Sequence, residues 1–153
     1  MKPAVLFVCV HNSGRSQMAD AFMRRFAGDV FDVYSAGITP GSLNPNVVAA
    51  MREIGYDISH ARTKGISDAE ITRHEYRYVV TVCAESEAEQ CPIFPTEGRR
   101  EHWYFDDPSA ITSKDPDVVM HSVRSIRDGM LERVRSWAEE KKREVTGTDT
   151  VRA

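Results

Sequence analysis

A chain of 153 residues with 41% hydrophobic content is long enough for one domain around one buried core. Its net charge of -3 comes from 20 basic and 23 acidic residues mixed along the chain, which leaves no basic stripe and excludes nucleic acid as the expected partner. The apolar run from Ala4 to Val10 is too short to span a bilayer and lacks a signal-peptide cleavage pattern, so no membrane partner and a cytoplasmic location are expected.

Ala4 to Val8 is a continuous apolar run rich in β-branched and aromatic residues, the pattern of a strand buried on both faces in a parallel sheet, and it ends at Cys9. Beyond a polar, Gly-containing stretch, Met18, Ala19, Phe22, Met23 and Phe26 recur at helical spacing, closed by Gly28. Phe31 to Ala36 reads as a second strand. Asn44 is a good N-cap with Pro45 in the first helical position, and Val47, Val48, Met51 and Ile54 form the apolar face of a helix ended by Gly55. Ser67 and Glu70 have capping-box spacing and predict a short helix. Tyr78 to Val82 reads as a third buried strand, ending at Cys83, and His102 to Phe105 as a shorter one followed by the acidic loop 106–109. From Pro116, the spacing of Val119, Val123, Ile126, Met130, Val134 and Trp137 predicts a long helix, with Lys141, Lys142 and Arg143 at its C-terminus. These elements predict one α/β domain over residues 1–145 and a flexible tail over 146–153.

Three cysteines are an odd number and too few for a disulfide framework, so in a reducing compartment they are expected as thiols kept for packing, metal or chemistry. Cys9 and Arg15 stand six positions apart in Cys9-Val10-His11-Asn12-Ser13-Gly14-Arg15-Ser16, between a buried strand and a helix start. A short loop entering a helix turns backbone N–H groups inward and adds the positive end of the helix, which suits a tetrahedral oxyanion. Arg15 is placed to clamp two of its oxygens, and Ser16 to donate a hydrogen bond to the Cys9 thiolate, which the same field favours. Gly14 permits backbone angles that a side chain hinders, and Asn12 is expected to hold the loop from within. His11 is assigned no proton-transfer role.

The loop with Ser16-Gln17-Met18-Ala19, together with Ser35-Ala36-Gly37, Leu43-Asn44-Pro45, Cys83, Cys91-Pro92, His102-Trp103 and Asp107-Pro108, resembles the arsenate reductases related to low-molecular-weight protein tyrosine phosphatases. The resemblance covers most of the chain. It implies a Rossmann-like, three-layer αβα domain with a four-stranded parallel sheet, and it assigns a general-acid role to Asp107 rather than Asp106. Cys83 and Cys91 separate a reductase from a phosphatase, because reducing As(V) to As(III) takes two electrons and hence a disulfide. The expected sequence of events is a Cys9–arsenic adduct, a Cys9–Cys83 disulfide, and transfer to a Cys83–Cys91 disulfide reduced by thioredoxin, with glutaredoxin or mycothiol systems as alternative reductants.

Pairing Cys83 with Cys91 requires their Cα atoms to come within about 7 Å, so the segment from Glu85 to Glu89 is expected to be mobile. No bound cofactor is expected. Some relatives hold a potassium ion behind the oxyanion loop, and Asn12, Asp20 and Ser35 resemble that site, but an ammonium from Lys64 could replace the ion and no metal is assigned. A zinc site from Cys83, Cys91 and His102 is disfavoured, since the short Cys-x2-4-Cys knuckle is missing. The rival function is phosphomonoester hydrolysis through a phosphocysteine, which needs neither Cys83 nor Cys91.

Overall fold

The computed structural model describes residues 2–87 and 94–147. Four strands, β1 (Ala4–Cys9), β2 (Asp32–Gly37), β3 (Tyr76–Cys83) and β4 (Arg99–Tyr104), pair in the order β2-β1-β3-β4, every pair parallel. The helices are α1 (Arg15–Ala27), α2 (Pro45–Glu53), α3 (Ala69–Thr72) and α4 (Pro116–Thr146). Parallel pairing demands a crossover for each connection, and β1, buried in all six residues, lies between β2 and β3 as its apolar run requires. Chemistry in such sheets gathers at the carboxyl edge, where the order of strands reverses. Cys9 ends β1 there, and the register Val8↔Thr81 sets Cys83 at the same end of the neighbouring strand, one residue further along.

One face of the sheet carries the main core. Val5, Phe7, Val80, Val82 and Trp103 meet Met18, Phe22 and Met23 of α1, Met51 of α2, and Met130, Val134 and Trp137 of α4, all of them at most 5% exposed. The other face holds a smaller cluster of Leu6, Val8, Ala36, Val79, Ile71 of α3, and Phe94. Among the described residues α3 is the only helix on that side, so the second helical layer is thin.

Local signals place most helix ends. Asn44 Oδ1 accepts the Asn46 N–H at 2.9 Å to cap α2, Asp115 caps α4 through Asp117 N, and Gly147 closes α4 in the left-handed region at φ 74°. Two expectations need correction. The spacing of Ser67 and Glu70 does not form a capping box: α3 starts at Ala69 after Asp68, whose Oδ2 accepts the Gly65 N–H, and Glu70 instead pairs with Arg62. β4 begins three residues before His102, because an edge strand pairs through its backbone and needs few apolar side chains. Lys141 is 3% exposed: Glu144 holds its ammonium at 2.8 Å, and it lies over the rings of Tyr78 and Trp137. No described helix is long and apolar enough to cross a membrane. Cys91 and part of the segment expected to move lie outside the described residues, as does 148–153 of the expected tail.

Candidate active site

The segment from Cys9 to Arg15 forms a tight loop between β1 and α1, held from outside by its carbonyls. The Cys9, Val10, His11 and Ser13 oxygens accept from Ile38, Thr39, Gly41 and Asn44 N–H at 3.1, 2.9, 3.0 and 2.9 Å. The Asn12 carbonyl accepts from Gln17 Nε2 at 3.1 Å. No peptide here is cis, so a carbonyl turned outward turns the next N–H inward. The N–H groups of residues 10 to 14 therefore face the concave side, and the Asn12 N–H, at 3.2 Å from Cys9 Sγ, shows that direction.

Asn12 sits at φ 55°, a left-handed conformation that Asn tolerates better than most residues. Its side chain is fully buried, and the backbone of Lys64 decides its orientation. The Lys64 N–H can only donate and lies 2.9 Å from Asn12 Oδ1, which leaves Nδ2 to donate to Ser16 Oγ at 2.7 Å. Ser16 then has its own proton available for Cys9 Sγ at 2.9 Å. Two donors, the Asn12 N–H and the Ser16 hydroxyl, thus converge on the sulfur of Cys9, a residue that is 2% exposed.

Arg15 is 2% exposed; one nitrogen donates to the Phe105 carbonyl at 3.2 Å and another lies 3.5 Å from Asp107 Oδ2. Asp107, not the exposed Asp106, is therefore the carboxylate at the loop. His11 uses Nδ1 to contact the Thr39 carbonyl at 3.0 Å, away from any proton-transfer geometry. The Val10, Ser13 and Gly14 carbonyls accept from Thr39, Asn44 and Met18 N–H.

A family model described as low molecular weight phosphotyrosine protein phosphatase matches residues 4–147. The chain belongs to that family. The arsenate reductase of Bacillus licheniformis is 42% identical over 138 residues, covering 90% of this chain and 96% of the relative. Among solved structures, an arsenate reductase in its oxidised state superposes with a TM-score of 0.72 at 28% identity, covering 92% of this chain and 98% of that one. A thioredoxin-dependent arsenate reductase from Corynebacterium glutamicum gives a TM-score of 0.56 at 29% identity, covering 88% and 62%. The resemblance read from the motifs is thereby borne out.

In this member of the low-molecular-weight phosphatase family, Cys9 is a free thiol while Cys83 is disulfide-bonded. A disulfide sulfur is not a zinc thiolate, which removes Cys83 from the disfavoured zinc set. The residues resembling a potassium site do not fit one. Asn12 Oδ1 already accepts from Lys64 N and Gln17 Nε2, occupying both lone pairs, and the Asp20 carboxylate is paired with Arg24. Ser35 Oγ is buried without a partner among the described residues. Lys64 is half-buried, and its ammonium donates to the Arg62 carbonyl at 2.6 Å. Burial depresses its pKa, opposed by the nearby Asp20 charge.

Two contributors escaped the sequence reading. The backbone N–H of Lys64 orients Asn12, and no side-chain pattern could signal it. Gly37, read only as part of the family motif, packs directly beneath the oxyanion loop. A Cβ there would lie 2.7 Å from Asn12 N and His11 C.

Proposed function

We propose that this chain reduces arsenate to arsenite at Cys9, with electrons passed through Cys83 and Cys91 to a dithiol reductant of the thioredoxin type. The observation that carries the reading is the placement of Cys9 and Cys83 at the same end of neighbouring strands, with a carboxylate and a guanidinium beside the first. The names of the relatives above support arsenate as the substrate. The thioredoxin dependence of the Corynebacterium glutamicum protein supports the reductant.

In the proposed reaction, the oxyanion enters the N–H cradle and draws the Arg15 guanidinium to two of its oxygens. In this reading Asp107 serves as the general acid. The Cys9 thiolate attacks arsenic: an S–As bond forms, an As–O bond breaks, and the leaving oxygen receives the Asp107 proton and departs as water. The Cys83 thiolate then attacks the Cys9 sulfur. As the S–S bond forms, the S–As electron pair stays on arsenic, which is reduced from As(V) to As(III) and leaves as arsenite. Cys91 attacks Cys83, releasing the Cys9 thiolate and forming a Cys83–Cys91 disulfide that two electrons from thioredoxin reopen. No resident cation takes part. The reductant, and the absence of a membrane helix among the described residues, suit a cytoplasmic protein.

The test is arsenate-dependent NADPH oxidation with thioredoxin and thioredoxin reductase, run beside an aryl-phosphate assay. Wild type turns over arsenate; Cys83→Ser loses arsenate turnover and keeps any aryl-phosphate hydrolysis, which needs Cys9 alone. Equal arsenate rates for the two proteins would overturn the reading. Replacing thioredoxin by glutaredoxin or mycothiol components identifies the reductant.

A further inference from the structure

Asn44 touches three parts of the site at once. Its backbone N–H donates to the Ser13 carbonyl at 2.9 Å, its Oδ1 caps α2 through Asn46 N–H at 2.9 Å, and its Nδ2 donates to Ser109 Oγ at 3.1 Å. The cap settles the orientation of the amide. Asn46 N–H requires an acceptor, so Oδ1 faces α2 and only Nδ2 can face Ser109. Ser109 in turn donates its backbone N–H to Asp107 Oδ1 at 2.9 Å, leaving Oδ2 toward Arg15. A continuous path therefore runs from the oxyanion loop at Ser13 through Asn44 and Ser109 to the Asp107 carboxylate.

An apolar contact accompanies that path. The position of a Cβ on Gly14 lies 3.3 Å from both Pro108 Cγ and Val47 Cγ2, so the oxyanion loop, α2 and the loop carrying Asp107 close on one point. Such a closure is needed there. Asp107 lies between β4 and α4, with only the short 3-10 turn Pro108–Ala110 for regular structure, so the sheet alone does not set its distance from Cys9. Arg15 holds the entry of this segment through the Phe105 carbonyl, and Asn44 holds its exit through Ser109.

We propose that Asn44 and Ser109 are a positioning pair for the general acid: they touch no reacting atom, and they fix the Asp107 carboxyl over the oxyanion loop. The proposal rests on the acid role given to Asp107 above. A positioned acid contributes about 10²- to 10⁴-fold to a rate, and misplacement by roughly 1 Å costs up to about 10²-fold. Loss of one tether at the far end of the loop is expected to cost about tenfold, a part of that range.

The experiment is a double-mutant cycle on arsenate kcat/KM, with melting temperature measured on every variant. Ser109 is exposed, so Ser109→Ala removes the tether with the fold and the α2 cap intact. The expected result is a roughly tenfold fall for Ser109→Ala, recovery in Ser109→Thr, which keeps the hydroxyl, and no further fall when Ser109→Ala is added to Asp107→Asn. Wild-type rates in Ser109→Ala would overturn the pair. So would a full tenfold effect in the Asp107→Asn background, since the tether would then act elsewhere. If Asp107→Asn alone loses nothing, the acid assignment fails and the positioning role falls with it. A wild type without arsenate turnover defeats the functional reading itself, an outcome separate from failure of the pair.

Discussion

Arg15 and Asp107 stand 3.5 Å apart, with their side chains 2% and 17% exposed. The pair joins the start of α1 to the loop before α4. Arg15→Lys keeps the charge and loses the planar fork that meets two oxygens at once. Arsenate kcat/KM is expected to fall about 10²- to 10³-fold, the cost of one missing oxyanion donor, with the fold retained by circular dichroism.

Gly37 supports the loop from below. In Gly37→Ala the new methyl meets the His11–Asn12 peptide at 2.7 Å and the Val10 carbonyl oxygen at 2.9 Å, all backbone atoms that cannot rotate away as a side chain would. Overpacking of this kind costs about 1–3 kcal/mol, and displacement of the N–H cradle lowers activity further than stability. Urea unfolding and arsenate turnover measured on the same preparation check both effects.

Asn12 combines a left-handed backbone with a buried amide network, and two substitutions separate them. Asn12→Gly keeps the backbone at ease and removes the bonds to Ser16, Gln17 and Lys64, for an expected loss of about 1–3 kcal/mol. Asn12→Ala adds roughly 1–2 kcal/mol of backbone strain to the same loss. Chemical denaturation that ranks Ala as the more stable of the two would contradict the assignment.

Glu53 links the end of α2 to α4 through Arg124 and Arg127. Its hydrogen bond to Arg124, opposed by desolvation and reinforced by Arg127, lowers its pKa from 4.5 to about 2. A carboxylate lowered on folding stabilises above its unfolded pKa, and that contribution is lost as pH falls through the folded value. Between about pH 4.5 and pH 2 wild type is expected to lose stability more steeply than Glu53→Gln, as read by melting temperature across that range.

Strands β1 and β3 and the long stripe of α4 were legible because burial on one or two faces writes itself into nearest-neighbour spacing. β4 was legible only in part: of Arg99–Tyr104 only Trp103 is buried, and an edge strand is specified by backbone pairing with β3. Lys141 was placed near the C-terminus of α4, and the packing of α4 on the sheet brings Glu144, Tyr78 and Trp137 around it.

The sequence by itself determined the Cys9–Arg15 loop, since a strand end, a six-residue step and a helix start are local geometry that the chain carries in its spacing. It also placed Cys83 at a strand end. Only the tertiary structure decided that Asp107 lies beside Arg15, why Gly37 must lack a side chain, and that the Lys64 backbone turns Asn12 toward Ser16. Those contacts join residues far apart in the chain, 52 positions for Lys64 and Asn12 and 90 for Arg15 and Phe105. Residues so separated meet only after the crossovers have brought the strand ends together, and no local pattern encodes which atoms then touch.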